Sequence, residues 1–385
     1  MHDSLPTNNH VLVLGAGLVG RPMALDLATN NEFRVGVADF SEVKLQSFAG
    51  TNISTHFADL REEAELLAIA SGYDMFINAV PGFMGFETLR SLITTGKPVV
   101  DIAFYPENPF DLGNLALQYG SCVICDMGVA PGMSHLLTAY AASKLEKVNK
   151  VLIYVGGLPK QRTYPWEYKA VFSPSDVIEE YTRPARLVEN GKVVLKEALS
   201  EAELIDFDPV GTLEAFNSDG LRSLAYTIKA DYMAEKTLRY PGHIDKINLL
   251  KKSGFFDEEP VIFNGQPISP LAFTKQLLFP QWQLAQGEHD LTLMKIVVEG
   301  TKGGKQLRYE YDLYDEFHPA TGIHSMARTT GYAATAALRM IARGVYTTAG
   351  LHVPEFIGKD EKCVRFILDV LRARDVVYRE SVVDC

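Results

Sequence analysis

The run Gly15-Ala16-Gly17-Leu18-Val19-Gly20 limits what this chain can fold into more than any other feature. It directly follows the apolar stretch Val11–Leu14 and opens a helix-like segment with Pro22 near its first turn. Proline fits there because first-turn N–H groups have no partner inside the helix. The next strand-like run leads to Asp39, roughly 20 residues beyond the last glycine, which is the spacing of the dinucleotide fingerprint. A G-x-G-x-x-G match alone is weak, whereas strand, glycines, helix and acid in this order are specific. Gly15 is expected to permit the tight turn, Gly17 to let backbone approach a pyrophosphate, and Gly20 to let helix and sheet pack closely. Leu18 and Val19 lie at the helix N-terminus, where unpaired N–H groups and the positive dipole end suit phosphates. Asp39 is the expected acceptor for the adenosine ribose hydroxyls and would repel a 2′-phosphate, so the expected cofactor is NAD rather than NADP.

A regular rhythm surrounds this loop. Near-continuous apolar runs at His10–Leu14, Phe33–Ala38, Ile53–Phe57, Met75–Ala79, Val99–Ala103 and Cys122–Cys125 read as strands. Helix patterns stand between them at Pro22–Thr29, Leu60–Ala70, Gly85–Thr94 and Phe110–Tyr119. Strands that do not alternate polar and apolar residues belong to sheets covered on both faces, and strand–helix alternation gives a parallel one. The fold class is therefore α/β, with a Rossmann-type doubly wound parallel sheet. Asn78, Val80 and Pro81 close the fourth strand at the carboxyl edge and are candidates for lining the nicotinamide ribose. Asp59 follows the third strand and reads either as an adenine contact or as an exposed helix cap. Beyond about residue 150 the rhythm breaks: Val151–Gly157 is one more strand, followed by irregular polar and aromatic sequence. This second domain is mixed, and its topology does not follow from the pattern. Helix patterns return at Ala327–Ala342 and Lys362–Arg374.

Composition narrows the partners. The 385 residues carry 37 Lys and Arg against 48 Asp and Glu, a net charge of −11, with no basic run. That balance argues against nucleic acid or an anionic membrane as partner and points to a small molecule. The longest apolar run, from Val11 to Gly20, is about half a membrane span. The N-terminus lacks a basic segment followed by an apolar one, so a cytoplasmic protein is expected. Four cysteines make no disulfide framework. In Cys122-Val123-Ile124-Cys125 the two thiols fall on opposite faces of a strand, and no second pair completes a zinc site, so no metal is expected.

Further motifs follow in order: Cys125-Asp126-Met127-Gly128-Val129-Ala130-Pro131-Gly132-Met133-Ser134, Val155-Gly156-Gly157-Leu158-Pro159, Tyr181-Thr182-Arg183-Pro184-Ala185-Arg186, Glu214-Ala215-Phe216-Asn217-Ser218-Asp219-Gly220 and Arg239-Tyr240-Pro241-Gly242-His243. Together they resemble the saccharopine dehydrogenase-like family over nearly the whole chain, and within it the ε-deaminating lysine 6-dehydrogenases most. The resemblance implies NAD-dependent oxidation at a carbon bearing an amine. Hydride leaves the ε-carbon of lysine, water attacks the imine, ammonia departs, and the semialdehyde cyclises to a piperideine carboxylate. Relatives that act on saccharopine or carboxynorspermidine share the pattern, and a non-catalytic NAD-binding sensor is the alternative outside enzymes. The resemblance also implies a homodimer, an NAD-binding domain over 1–127 completed by about 322–385, and an inserted α/β substrate and dimerisation domain over 128–321.

Residue chemistry supplies candidates for such a reaction. Amine oxidation needs the nitrogen lone pair, hence a base or proton relay within hydrogen-bond reach. Asp101 ends strand five and is a candidate acceptor or base, or a turn cap; Tyr105 is a candidate relay. Asp126 is a candidate to hold the amine or cap its turn, and Gly128 opens a loop and helix start suited to a carboxylate or serving only as crossover. Arg183 and Arg186 flank Pro184 on an extended segment, and Arg222 follows the turn-rich Asn217–Gly220, with an arginine fork able to grip a carboxylate. For each, a salt bridge is the competing reading. His243 sits in a rigid turn that either presents it to the pocket or buries it.

Overall fold

The computed structural model describes residues 9–384, which divide into two compact units. The first runs up to Lys144 and resumes over Ala327–Tyr378; the second spans Leu145–Met326 and the segment from Arg379. The division therefore falls after Lys144 rather than after residue 127. The helix Met133–Ser143 stays with the first unit because Gly358 brings the chain against it, and a Cβ at Gly358 would lie 2.3 Å from the Leu136 carbonyl oxygen.

In the first unit six strands appear near the expected positions: β1 His10–Leu14, β2 Arg34–Asp39, β3 Ser54–Phe57, β4 Met75–Asn78, β5 Val99–Asp101 and β6 Cys122–Ile124. The sheet order is β3-β2-β1-β4-β5-β6, and Gly350–His352 adds a seventh strand beside β6. All these pairs are parallel. The order reverses beside β1, which places the switch point between β1 and β4, where open α/β sheets bind ligands. Leu12, Leu14, Phe76, Leu89, Val99 and Val123 form one apolar core on the sheet. Helices cover it at Gly20–Ala28, Glu63–Ala70, Gly82–Ile93 and Gly113–Tyr119. A short helix over Glu42–Gln46, capped by Ser41, was not expected because its five residues carry too little periodicity to read. Phe110 lies in a separate 3₁₀ turn over Pro109–Leu112.

The long helix Ser325–Ala342 completes this unit. A Cβ at Gly331 would lie 2.8 Å from Met23 Cγ, so the helix packs closely on Gly20–Ala28. A buried ion cluster locks the pair: Arg339 donates to Asp26 at 2.6 Å and to Glu32 at 2.7 Å, while Thr335 and Arg374 also reach the Asp26 carboxylate.

The second unit is built on a mixed sheet ordered Glu203–Phe207, Gly211–Asn217, Ala230–Arg239, Lys147–Pro159, Asp290–Lys302, Lys305–Glu316 and Tyr378–Asp384. Lys147–Pro159 lies parallel to Ala230–Arg239 and antiparallel to Asp290–Lys302. The helices Pro174–Thr182, His243–Lys252 and Pro270–Trp282 enclose a core around Tyr168, Tyr181, Phe216, Ile247 and Trp282. Among the described residues no helix is long and apolar enough to cross a membrane.

Removing one member of a buried ion pair strands its partner's charge. Arg339→Ala should therefore cost about 3 kcal/mol or more, read as a lower urea midpoint for the unit that holds Gly20–Ala28; an unchanged midpoint would show the cluster to be energetically neutral.

Candidate functional site

The glycine loop closes the carboxyl edge of β1. Gly15 adopts φ +101°, and a Cβ there would lie 2.6 Å from the Ala79 carbonyl oxygen. A Cβ at Gly20 would lie 2.0 Å from the Gly15 oxygen, so neither position admits a side chain. Gly17 differs: a Cβ there would project into open space, meeting nothing within 4 Å. The first and last glycines are thus required by the protein's own packing, and the middle one leaves the approach that a pyrophosphate needs. Asp39 fixes the loop, accepting the Ala16 N–H at one oxygen and the Ser41 N–H at the other, both at 2.8 Å. Leu18 is exposed beside the loop and Val19 directly precedes the helix Gly20–Ala28. These residues fit a dinucleotide, whose bound nicotinamide would supply a hydride acceptor.

Other cofactor candidates are placed differently. Asn78 is fully buried and turns its amide inward, donating to the Gly85 carbonyl at 3.0 Å and to Asp101 at 2.7 Å. Its side chain braces β4 against β5 and does not line an open ribose site. Val80 is buried in the core, and Pro81 starts the helix Gly82–Ile93. Asp59 grips Arg61, whose hydrogen bonds and charge hold its carboxyl down to about 2; it serves the turn.

Asp101 lies fully buried at the end of β5. Burial pushes its carboxyl well above the usual range and the neighbouring Asp126 carboxylate adds to this, while the Ala103 N–H, the Asn78 amide and the Tyr105 hydroxyl oppose it. A carboxyl held in its neutral form donates a hydrogen bond and is a poor base near neutrality. Tyr105 is likewise fully buried, and its ring packs edge-on against Phe86 at 5.6 Å. Asp101 and Tyr105 are thus two buried groups joined by a hydrogen bond. Asp126 holds a left-handed backbone, φ +54°, a strained state for a residue with a side chain. The Gly128 loop is shaped by its own backbone. Gly128 donates to the Pro131 carbonyl, and the Met133 and Ser134 N–H groups are taken by Gly128 and Val129. The helix start that was expected to hold a carboxylate directs these N–H groups into its own loop.

In the second unit the expected arginines meet acids. Arg183 pairs with Glu179 at 3.3 Å, and Arg186 grips Asp219 bidentately at 2.7 and 2.6 Å. Arg222 is 3 % exposed with φ +40°, and backbone strain of this kind gathers at functional sites. Asn217 is buried and donates to Ser200 and Glu201. Gly220 admits the Glu235 carboxyl into space that any Cβ would fill. Burial pushes Glu235 well above the usual range, with the Glu180 and Asp219 charges adding and the Gly220 N–H opposing. Glu235 and Glu180 escaped the sequence reading because acids on a strand and a helix carry no spacing signature.

His243 is 1 % exposed. Its Nδ1 meets the Trp166 carbonyl at 2.9 Å, and a carbonyl only accepts, so Nδ1 carries the proton. Nε2 then accepts from the Tyr181 hydroxyl at 3.0 Å, and that oxygen accepts from Arg239, which also donates to Glu180. Burial and the Arg239 charge push His243 down to about 3. The imidazole is a neutral link in this chain. Its titration has a signed consequence. The unfolded chain protonates this imidazole below its ordinary value of 6.5, and the folded one only near 3. Its contribution is fully present above 6.5 and is lost as pH falls. His243→Gln should therefore flatten the acid-side decline in the thermal midpoint, which the wild type loses by up to about 1.4 kcal/mol per pH unit; parallel declines in both proteins would refute the assignment.

Two family models match. Residues 11–171 match the saccharopine dehydrogenase NADP binding domain, and residues 128–377 the saccharopine dehydrogenase C-terminal domain. A Schizosaccharomyces pombe saccharopine dehydrogenase (NADP+, L-glutamate-forming) is 26 % identical, covering 97 % of this chain and 99 % of its own length. A Synechocystis carboxyaminopropylagmatine dehydrogenase is 22 % identical over 91 % of this chain and 93 % of its own. The structure of saccharopine dehydrogenase (L-Glu forming) from Saccharomyces cerevisiae shares the fold with a TM-score of 0.80, at 20 % identity over 97 % of this chain and all of that one. With both halves of the chain matched in order and the dinucleotide loop in place, the protein belongs to the saccharopine dehydrogenase family of nicotinamide-dependent oxidoreductases.

Proposed function

We propose that this protein is an NAD-dependent amino-acid dehydrogenase that oxidises the ε-amine of L-lysine, releasing ammonia and a semialdehyde that cyclises to a piperideine carboxylate. The observation that carries this reading is the charge balance of the second unit. Arg183, Arg186 and Arg239 each face an acid, Glu179, Asp219 and Glu180, while Glu235 adds a buried carboxyl and Asp176 a half-buried one. Lysine brings two ammonium groups and one carboxylate, which suits such a surplus of acid. Saccharopine brings two more carboxylates and would call for cations that are already matched. Asp39 at the end of β2 supports NAD, since its fixed carboxylate accepts ribose hydroxyls. Asp126, just after β6, is the candidate to accept the ammonium proton, with the neighbouring Asp101 held neutral. Arg222 is assigned to the substrate carboxylate. The working unit on this reading is a cytoplasmic homodimer whose ligands are small molecules.

A second reading has its own support. Relatives matched over nearly their whole length are named for reactions on saccharopine and carboxyaminopropylagmatine, so oxidation of a secondary amine without ammonia release is the alternative.

Nicotinamide reduction and ammonia release with L-lysine, saccharopine, carboxynorspermidine and ornithine separate the two. Lysine turnover with equimolar ammonia is expected; turnover on saccharopine without ammonia would replace the first reading by the second. Arg222→Ala should raise KM for the amino acid about tenfold or more while the dinucleotide KM moves less than about twofold. Equal effects on both would make Arg222 structural.

A further inference from the structure

We propose that Lys44 sets how strictly this protein separates NAD from NADP, by neutralising Asp39 and offering an ammonium to a 2′-phosphate. The inference rests on the dinucleotide reading of the glycine loop and not on the choice of amino acid.

Asp39 is 5 % exposed and committed through both oxygens to the Ala16 and Ser41 N–H groups, so it cannot swing away from an incoming phosphate. An acid fixed in this way excludes a 2′-phosphate by charge alone. Lys44, however, places its Nζ 3.6 Å from Asp39 Oδ2. Its backbone is fixed in the helix Glu42–Gln46, where its N–H meets the Ser41 hydroxyl, yet its side chain is 46 % exposed and has room to turn. Phe40 offers an exposed ring, and the Lys44 ammonium lies 5.7 Å from its centroid. Acid, cation and aromatic face thus occupy one corner, at the carboxyl end of β2, where the adenosine ribose would lie. With a ribose 2′-hydroxyl the ammonium stays on Asp39. With a 2′-phosphate it turns to the phosphate and cancels much of the repulsion. Arg21 donates through its Nε to the Ser47 hydroxyl at 3.1 Å, whereas Lys44 is the cation paired with Asp39 itself. An ammonium this exposed is screened by salt, so the discrimination depends on ionic strength.

The test is binding of NADH and NADPH to the full chain, followed by nicotinamide fluorescence at low and high salt, without substrate. The wild type is expected to hold NADPH within about tenfold of NADH. Lys44→Gln should weaken NADPH by about tenfold or more and NADH by less than about threefold, with most of the NADPH loss reproduced by salt in the wild type. Asp39→Asn should narrow the gap in favour of NADPH. If Lys44→Gln shifts both dinucleotides equally, or neither, the proposal is overturned. If the wild type binds neither, the dinucleotide reading falls and this proposal with it. Binding of both dinucleotides with no turnover of any amine would overturn the amino-acid reading alone, and the Lys44 result would still stand.

Discussion

The carboxyl edge of the parallel sheet depends on three stretches of backbone meeting without side chains between them. Gly15 lies against the Ala79 carbonyl and Gly20 against Gly15 itself, at distances no Cβ permits. That contact seats the helix Gly20–Ala28 on β1 and aims its N-terminus at the switch point. The buried cluster of Asp26, Arg339 and Arg374 anchors the other end of this helix to Ser325–Ala342. One helix is thus held at both ends, by backbone proximity at one and by matched charge at the other. Asp39 adds a third tie, since its carboxylate holds the Ala16 N–H. Loss of the acid would free the Ala16 and Ser41 N–H groups together and loosen the loop.

The first unit was legible because its signals are local. Each strand is a continuous apolar run, each glycine of the loop has a spacing, and Asp39 falls where the next strand ends. The second unit was not, because its pairings are remote. Lys147–Pro159 joins Ala230–Arg239 on one side and Asp290–Lys302 on the other, and nothing in any of the three segments names its neighbours. Alternation places a side chain on a face, but register comes from the whole sheet.

The candidate site was legible in part for a related reason. Gly15, Gly17, Gly20 and Asp39 are defined by backbone geometry that the motif encodes. Asn78, Asp101, Tyr105 and His243 are defined by what surrounds them, and the surroundings made them buried links rather than exposed groups. A turn such as Tyr240-Pro241-Gly242-His243 fixes where the imidazole begins but not that Tyr181, Trp166 and Arg239 close around it. Polar residues near a ligand edge are therefore as often the frame of a site as its working surface.

Matched charge also bears on what the second unit admits. A buried arginine paired with an acid gains little by exchanging that acid for a ligand carboxylate, since each state satisfies the same fork. Arg239 on Glu180 is in that condition and is further held by Tyr181, while the half-buried Arg186 is matched bidentately to Asp219. A buried acid kept neutral behaves differently. Burial pushes Glu235 well above its ordinary range, so it carries an unrealised negative charge that an approaching ammonium would bring out, whereas Asp176, pushed up to about 6, is largely ionised at neutral pH. A cation brought beside Glu235 would gain by ionising it, whereas an anion beside Arg186 or Arg239 would have to displace a partner already in place. The asymmetry arises from how the fold pairs its own charges.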